Sequence, residues 1–70
     1  MLWLISSNYS AQVTSCNIHE KNGKYQVWVE KPSGSTKLLK ESTDKHEVGE
    51  IKSAIDFAIS NGHKTLELDF

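Results

Sequence analysis

Glu67 and Asp69 are the residues whose types and spacing most resemble an acid–base pair. Residues two apart in an extended strand share one face, so the two carboxylates and Thr65 would lie side by side. No activated nucleophile and no glycine-rich phosphate loop accompanies them. We therefore interpret the pair as a solvated acidic face and predict that the protein is not an enzyme.

The possible metal ligands are Cys16, His19, His46 and His63. A zinc site needs three or four such side chains to converge. Cys16 and His19 are three residues apart on a predicted strand, which places them on opposite faces, and the other two histidines lie at opposite ends of a predicted helix. The spacing therefore predicts neither a metal site nor a bound cofactor.

Trp28 is the side chain that most strongly indicates binding. It lies in the alternating segment Tyr25–Glu30, where Gln26 and Glu30 share its face and the apolar residues take the other. Such a ring either lies flat over its strand neighbours or serves as an anchor for a partner, since tryptophan is enriched among interface hot spots. We predict a binding role for Trp28, Gln26 and Glu30.

Two further aromatic residues, Trp3 and Phe57, are candidates for the same role. The first strand is apolar on both faces, so either parity leaves apolar side chains on its open side. Phe57 lies away from the apolar stripe of the predicted helix, on a face that is normally polar. Either a bent sheet covers it, or it contacts a partner or a second copy of the chain.

Hydrophobic alternation and turn signals give the elements that position these residues. The chain is predicted to form strands at about 1–6, 9–20, 24–31, 35–41 and 64–70, and one helix at about 44–60. The apolar parity changes near Thr14-Ser15, which predicts a bulge or a bend. Asn22-Gly23 predicts a type I′ hairpin turn. Asp44 and Glu47 predict a capping box, and Asn61-Gly62 predicts the helix end.

This order, ββββαβ, indicates a single α+β domain spanning residues 1–70. We predict a five-stranded, mostly antiparallel sheet in the order 5-1-2-3-4, with the last strand antiparallel to the first and the helix on one face. A parallel position for the last strand beside the fourth is the alternative. One helix covers only one side of such a sheet, so aromatic side chains are expected to face water on the other.

Composition limits the classes of partner. Eight lysines, no arginine and nine acidic residues give a net charge of −1, which argues against a general phosphate-binding surface. A lone cysteine favours a reducing compartment. The apolar start is too short for a signal peptide or a spanning helix. We therefore expect a soluble, cytoplasmic protein without membrane contact.

Together these features predict a small non-enzymatic protein-interaction module of regulatory, inhibitory or adaptor type. It would bind a partner protein, or itself as a homodimer, through an uncovered aromatic sheet face and the outer side of the helix. The alternative is a single-stranded nucleic-acid-binding protein, in which Trp28 supplies the stacking platform and Lys24 and Lys31 supply the charge.

Overall fold

The computed structural model describes residues 1–70 and contains six strands and one helix, which confirms the α+β class. The elements in chain order are β1 (Leu2–Ser6), β2 (Tyr9–Val13), β3 (Ser15–Lys21), β4 (Lys24–Glu30), β5 (Thr36–Ser42), α1 (Lys45–Ser60) and β6 (Thr65–Glu67). Helix α1 has 16 residues and is neither long nor apolar enough to cross a membrane.

The predicted second strand is divided at Thr14, so of the predicted bulge or bend the structure shows a bend. The Thr14 backbone N–H donates to the Glu30 carbonyl oxygen at 2.8 Å, and its hydroxyl donates to the same oxygen at 3.3 Å. Val13 and Cys16 are both buried, although they stand an odd number of residues apart. The bend thus keeps apolar side chains inward on both of its sides, and it separates β2 from β3.

The strands form two three-stranded sheets, in the orders β2-β1-β6 and β3-β4-β5. The prediction of one five-stranded sheet is therefore wrong, although β6 does lie beside β1 and β5 is an edge strand. The predicted antiparallel direction of the last strand is also wrong, because β6 runs parallel to β1 with Leu66 opposite Leu4. The prediction took the last strand to run parallel to the fourth predicted strand, which is β5, and hence antiparallel to β1. Because the bend at Thr14 places β5 in the other sheet, the direction of β5 does not determine the direction of β6.

The predicted hairpin turn between β3 and β4 is confirmed. Asn22 and Gly23 have φ values of 53° and 78°, the two positive angles that a type I′ turn requires. This turn sets the register in which Asn17 lies opposite Trp28 and His19 lies opposite Gln26. Local turn chemistry therefore determines which side chains of β3 flank the tryptophan.

Helix α1 begins after Asp44, whose carboxylate accepts hydrogen bonds from the backbone N–H groups of His46 (3.0 Å) and Glu47 (3.3 Å). The reciprocal half of the predicted capping box is absent, because the Asp44 N–H donates to Ser42 Oγ at 3.0 Å instead. At the other end Asn61 is the C-cap, as predicted, and the Gly62 and His63 N–H groups close a Schellman motif.

The core lies between the two sheets and α1. Its nine buried residues are Leu2, Leu4, Val13, Cys16, Val27, Val29, Val48, Ile55 and Ala58. Since Leu2 and Leu4 are buried, Trp3 must face outward. In the same way, buried Val27 and Val29 place Trp28 on the outer face of the second sheet.

Candidate functional site

An open groove of about 330 Å³ lies on the outer face of the β3-β4-β5 sheet. We call it the Trp28 groove. It is lined by Asn17, His19, Gln26, Trp28, Val29, Glu30 and Thr36. The structure therefore brings together three of the predicted binding residues, Trp28, Gln26 and Glu30.

A chain of hydrogen bonds fixes the Trp28 ring. Its indole N–H donates to Gln26 Oε1 at 3.0 Å, and the Gln26 amide donates to Glu41 Oε2 at 2.7 Å. The His19 ring is tilted against the indole, with the ring centroids 6.2 Å apart. The indole N–H is thus satisfied within the protein, and the ring face is the part that remains for a partner. The ring is also half-buried, so it supports the sheet as well.

A β-bulge extends the apolar surface beside Trp28. Val27 lies opposite Lys40 but Trp28 lies opposite Leu38, so Leu39 is the extra residue on β5. Leu39 packs against the core, whereas Leu38 faces outward and is 36% exposed. The sequence prediction missed Leu38, because two consecutive leucines do not reveal which of them a bulge turns outward.

Glu30 supplies the only carboxylate that lines the Trp28 groove, and no lysine lines it. Its Oε1 accepts a hydrogen bond from Ser15 Oγ at 3.2 Å. Lys24, assigned to the nucleic-acid alternative, lies 3.8 Å from Glu41, and Lys31 lies over the Tyr9 ring. The two lysines are therefore not arranged around Trp28.

Trp3 lies on the other sheet and does not line the Trp28 groove. It pairs with Gln12 of β2 and Thr65 of β6, and it is 41% exposed. Its exposure agrees with an open sheet face, but the structure does not join it to Trp28. The residues predicted for one aromatic surface thus occupy two.

Phe57 is 63% exposed, so of the two alternatives the structure excludes cover by a bent sheet, and a contact with a partner or a second copy stays a prediction. Its ring meets the His63 ring edge-on, with the centroids 5.8 Å apart. Because α1 packs on the inner face of the β3-β4-β5 sheet, Phe57 and Trp28 face away from each other. A compact partner surface can therefore contact only one of them.

The residues considered for catalysis and metal binding are not assembled into a site. Glu67 and Asp69 are exposed at the end of the chain, and no three His, Cys, Asp or Glu side chains converge. Cys16 points inward and His19 outward, as their spacing predicts. Burial raises the pKa of the Cys16 thiol to about 11, with a smaller contribution from Asp56 that Lys52 partly offsets. The thiol is therefore protonated at neutral pH and is not an activated nucleophile.

Comparison of the chain with protein-family models, curated proteins and solved structures finds no match.

Proposed function

We propose that the protein is a non-enzymatic interaction module of regulatory, inhibitory or adaptor type, and that its Trp28 groove receives a basic side chain of a partner protein. The observation that carries this proposal is the fixed indole ring beside the Glu30 carboxylate, in a groove without lysine. Binding alone suffices for such a role, and it needs no nucleophile or metal. A cytoplasmic setting belongs to the same proposal, since the single cysteine is free.

The groove suits both the cationic head group and the aliphatic stem of a lysine or arginine side chain. The face of Trp28 attracts a cation by its quadrupole, by about 0.5–1 kcal/mol at exposed sites and more where water is excluded. Glu30 supplies the opposite charge. The indole edge supplies apolar surface for the aliphatic stem, which packs well while the head group stays near water.

Phe57 provides a second, separate contact surface on the outer side of α1. A partner that uses both surfaces has to wrap around the domain or bring two modules. A second copy of the chain on either surface is the homodimeric form of the same proposal. Light scattering of the purified chain distinguishes self-association from binding of a different protein.

The alternative, single-stranded nucleic-acid binding at Trp28, has less support from the geometry. A stacking platform for bases needs cationic groups that follow the phosphates. Here Lys24 lies against Glu41, and Lys31 lies against Tyr9. The groove therefore suits a cation better than a polyanion.

Quantitative co-purification with a tagged chain tests the proposal. We expect at least one protein to be recovered with the unchanged chain and with Trp3→Ala, but to fall about 30-fold with Trp28→Ala, as for a hot spot worth about 2 kcal/mol. Glu30→Gln removes the charge without changing the shape, and it should reduce recovery of the same protein. Thermal unfolding of each variant checks that the fold is intact.

Two further variants distinguish binding at the Trp28 groove from binding at the Phe57 side of α1. Trp3→Ala removes an exposed indole outside the Trp28 groove, and Phe57→Ala removes the helix-side ring. Equal recovery of every protein with folded Trp28→Ala, Glu30→Gln and Phe57→Ala variants would contradict the proposal.

A further inference from the structure

The gap between the free edges of the two sheets holds a group of lysines and aromatic rings. Two ammonium groups lie over the Tyr9 ring, with Lys31 Nζ 5.9 Å and Lys37 Nζ 5.7 Å from its centroid. Lys40 Nζ lies 4.9 Å from the centroid of the Phe70 ring. None of the three lysines forms an ion pair; the salt bridges of lysine involve Lys24 and Lys52. Positive charge is thus concentrated here in a chain whose net charge is −1.

The position of these lysines follows from the register of β5. Lys37 lies opposite Val29 and Lys40 opposite Val27, and both valines are buried, so the lysines belong to the inner face of an edge strand. Inward-pointing charges are a common device against unwanted edge pairing. Their ammonium groups cannot enter the core, so the stems cover aromatic rings while the charges stay at the opening.

A cavity of about 160 Å³ lies at this opening, many times the ~10–15 Å³ that one water needs. It is lined by Ser6, Ser7, Asn8, Tyr9, Lys37, Leu38, Leu39 and Phe70. None of these side chains is a carboxylate, and the Phe70 backbone oxygen accepts the Ser7 N–H at 2.8 Å. Lys40 instead shares an adjoining hollow with Glu47, Glu50 and Asp69, which offset its charge. Of the three lysines only Lys37 lines the cavity, and Lys31 lies near it over the Tyr9 ring.

Two polar side chains of the cavity are available to a ligand. The Ser7 and Asn8 side chains form no hydrogen bond within the protein, whereas the Ser6 hydroxyl is bonded to the Tyr9 carbonyl oxygen. The Tyr9 hydroxyl has no hydrogen-bond partner, but its oxygen is buried and is not exposed to the cavity. The Ser7 hydroxyl and the Asn8 amide can each donate a hydrogen bond to an anion.

We propose that the opening beside the Tyr9 ring, formed by Lys31, Lys37, Ser7 and Asn8, binds the phosphoryl group of an anionic ligand. Lysine ammonium groups bind phosphate as point charges, and neutral hydroxyl and amide donors complete the oxygen contacts. The phosphoryl group belongs either to a free phosphate or to one residue of a single-stranded nucleic acid. This site lies apart from the Trp28 groove, so its test is independent of the proposed function.

Amide chemical shifts of the ¹⁵N-labelled chain test the site. Inorganic phosphate is titrated at constant ionic strength, with chloride as the balancing anion, and an oligothymidylate is titrated in a parallel series. We expect saturable shifts at Ser7, Asn8 and Tyr9, and we expect Lys31→Gln or Lys37→Gln to weaken binding about tenfold, as loss of one charge-assisted contact does. Lys21→Gln is the matched control, because it removes the same charge at the tip of the β3–β4 hairpin.

The two titrations identify the source of the phosphoryl group. Shifts with phosphate alone assign a small ligand, and tighter binding of the oligonucleotide through the same residues assigns a nucleic acid. Absence of saturable shifts with both ligands, or equal weakening by Lys21→Gln, overturns the proposal. The spectra themselves show whether each variant is folded.

Discussion

Trp28 shows how a single residue can be held for binding while its polar group is already satisfied. Its indole N–H is bonded to Gln26, so binding at the ring face does not require that this hydrogen bond be broken. The alternation of residues 25–30 was sufficient to place Trp28, Gln26 and Glu30 on one face, because the side-chain period of a strand is a local property. His19 and Leu38 could not be placed in that way. Their positions depend on the register of the neighbouring strands.

The buried thiol of Cys16 should make the stability of the fold depend on pH. The pKa of its thiol is raised from 9.0 to about 11 in the folded chain, chiefly by burial. Between these pH values the unfolded chain has lost the thiol proton that the folded chain keeps. The contribution of Cys16 to stability is therefore complete below about pH 9, and it falls as the pH rises toward 11.

Urea unfolding of the unchanged chain and of Cys16→Ala over this pH range measures the effect. The pKa values of Tyr9 and Lys52 are also raised, so the difference between the two proteins is the relevant quantity. We expect that difference to shrink steadily above pH 9. A difference that stays constant up to pH 11 would show that the thiol is not desolvated in the fold.

At the scale of elements, signals carried by two or three adjacent residues were reliable. Asn22-Gly23 defined the hairpin turn, and Asp44 and Asn61 defined the ends of the helix. The reciprocal bond from Glu47 failed because Ser42, which precedes the helix on β5, competes for the Asp44 N–H. A capping pattern read along the chain does not show such a competitor in the preceding strand.

The capping hydrogen bonds of Asp44 should stabilise the first turn of helix α1. Asp44→Ala removes the acceptor for two backbone N–H groups and should lower the free energy of unfolding by about 1 kcal/mol. Asp44→Asn retains a side-chain oxygen in the same place and should cost much less. Denaturant unfolding measures both variants. Equal losses from the two substitutions would mean that charge, and not the hydrogen bonds, is what Asp44 supplies.

At the scale of the whole molecule, the bend at Thr14 decides the architecture. The sequence reveals a change of parity there, but parity is equally compatible with a bulge inside one sheet and with a division into two. In a single sheet, Thr14 would continue one ladder of backbone hydrogen bonds. In the structure its N–H instead donates to the Glu30 carbonyl oxygen, and the chain passes there from the β2-β1-β6 sheet to the β3-β4-β5 sheet. The parallel pairing of β1 with β6 follows from that division, so it could not be predicted without it.

The charge of the molecule is also organised at this scale. Glu30 and Glu41 lie on the outer face of the β3-β4-β5 sheet, whereas Lys31 and Lys37 lie at the opening between the sheets. A net charge near zero argues against a surface that is basic throughout. It does not argue against a small basic region, because net charge is a sum over the whole surface. Two small regions of opposite sign are compatible with the same composition.

The most direct test of the Trp28 groove uses the two indole N–H signals of the ¹⁵N-labelled chain, one from Trp28 and one from Trp3. We predict that a lysine tetrapeptide shifts the Trp28 signal saturably and leaves the Trp3 signal in place, that a glutamate tetrapeptide shifts neither, and that Glu30→Gln weakens the response. A Trp28 signal that stays unmoved, or that moves equally with both peptides, would contradict the account.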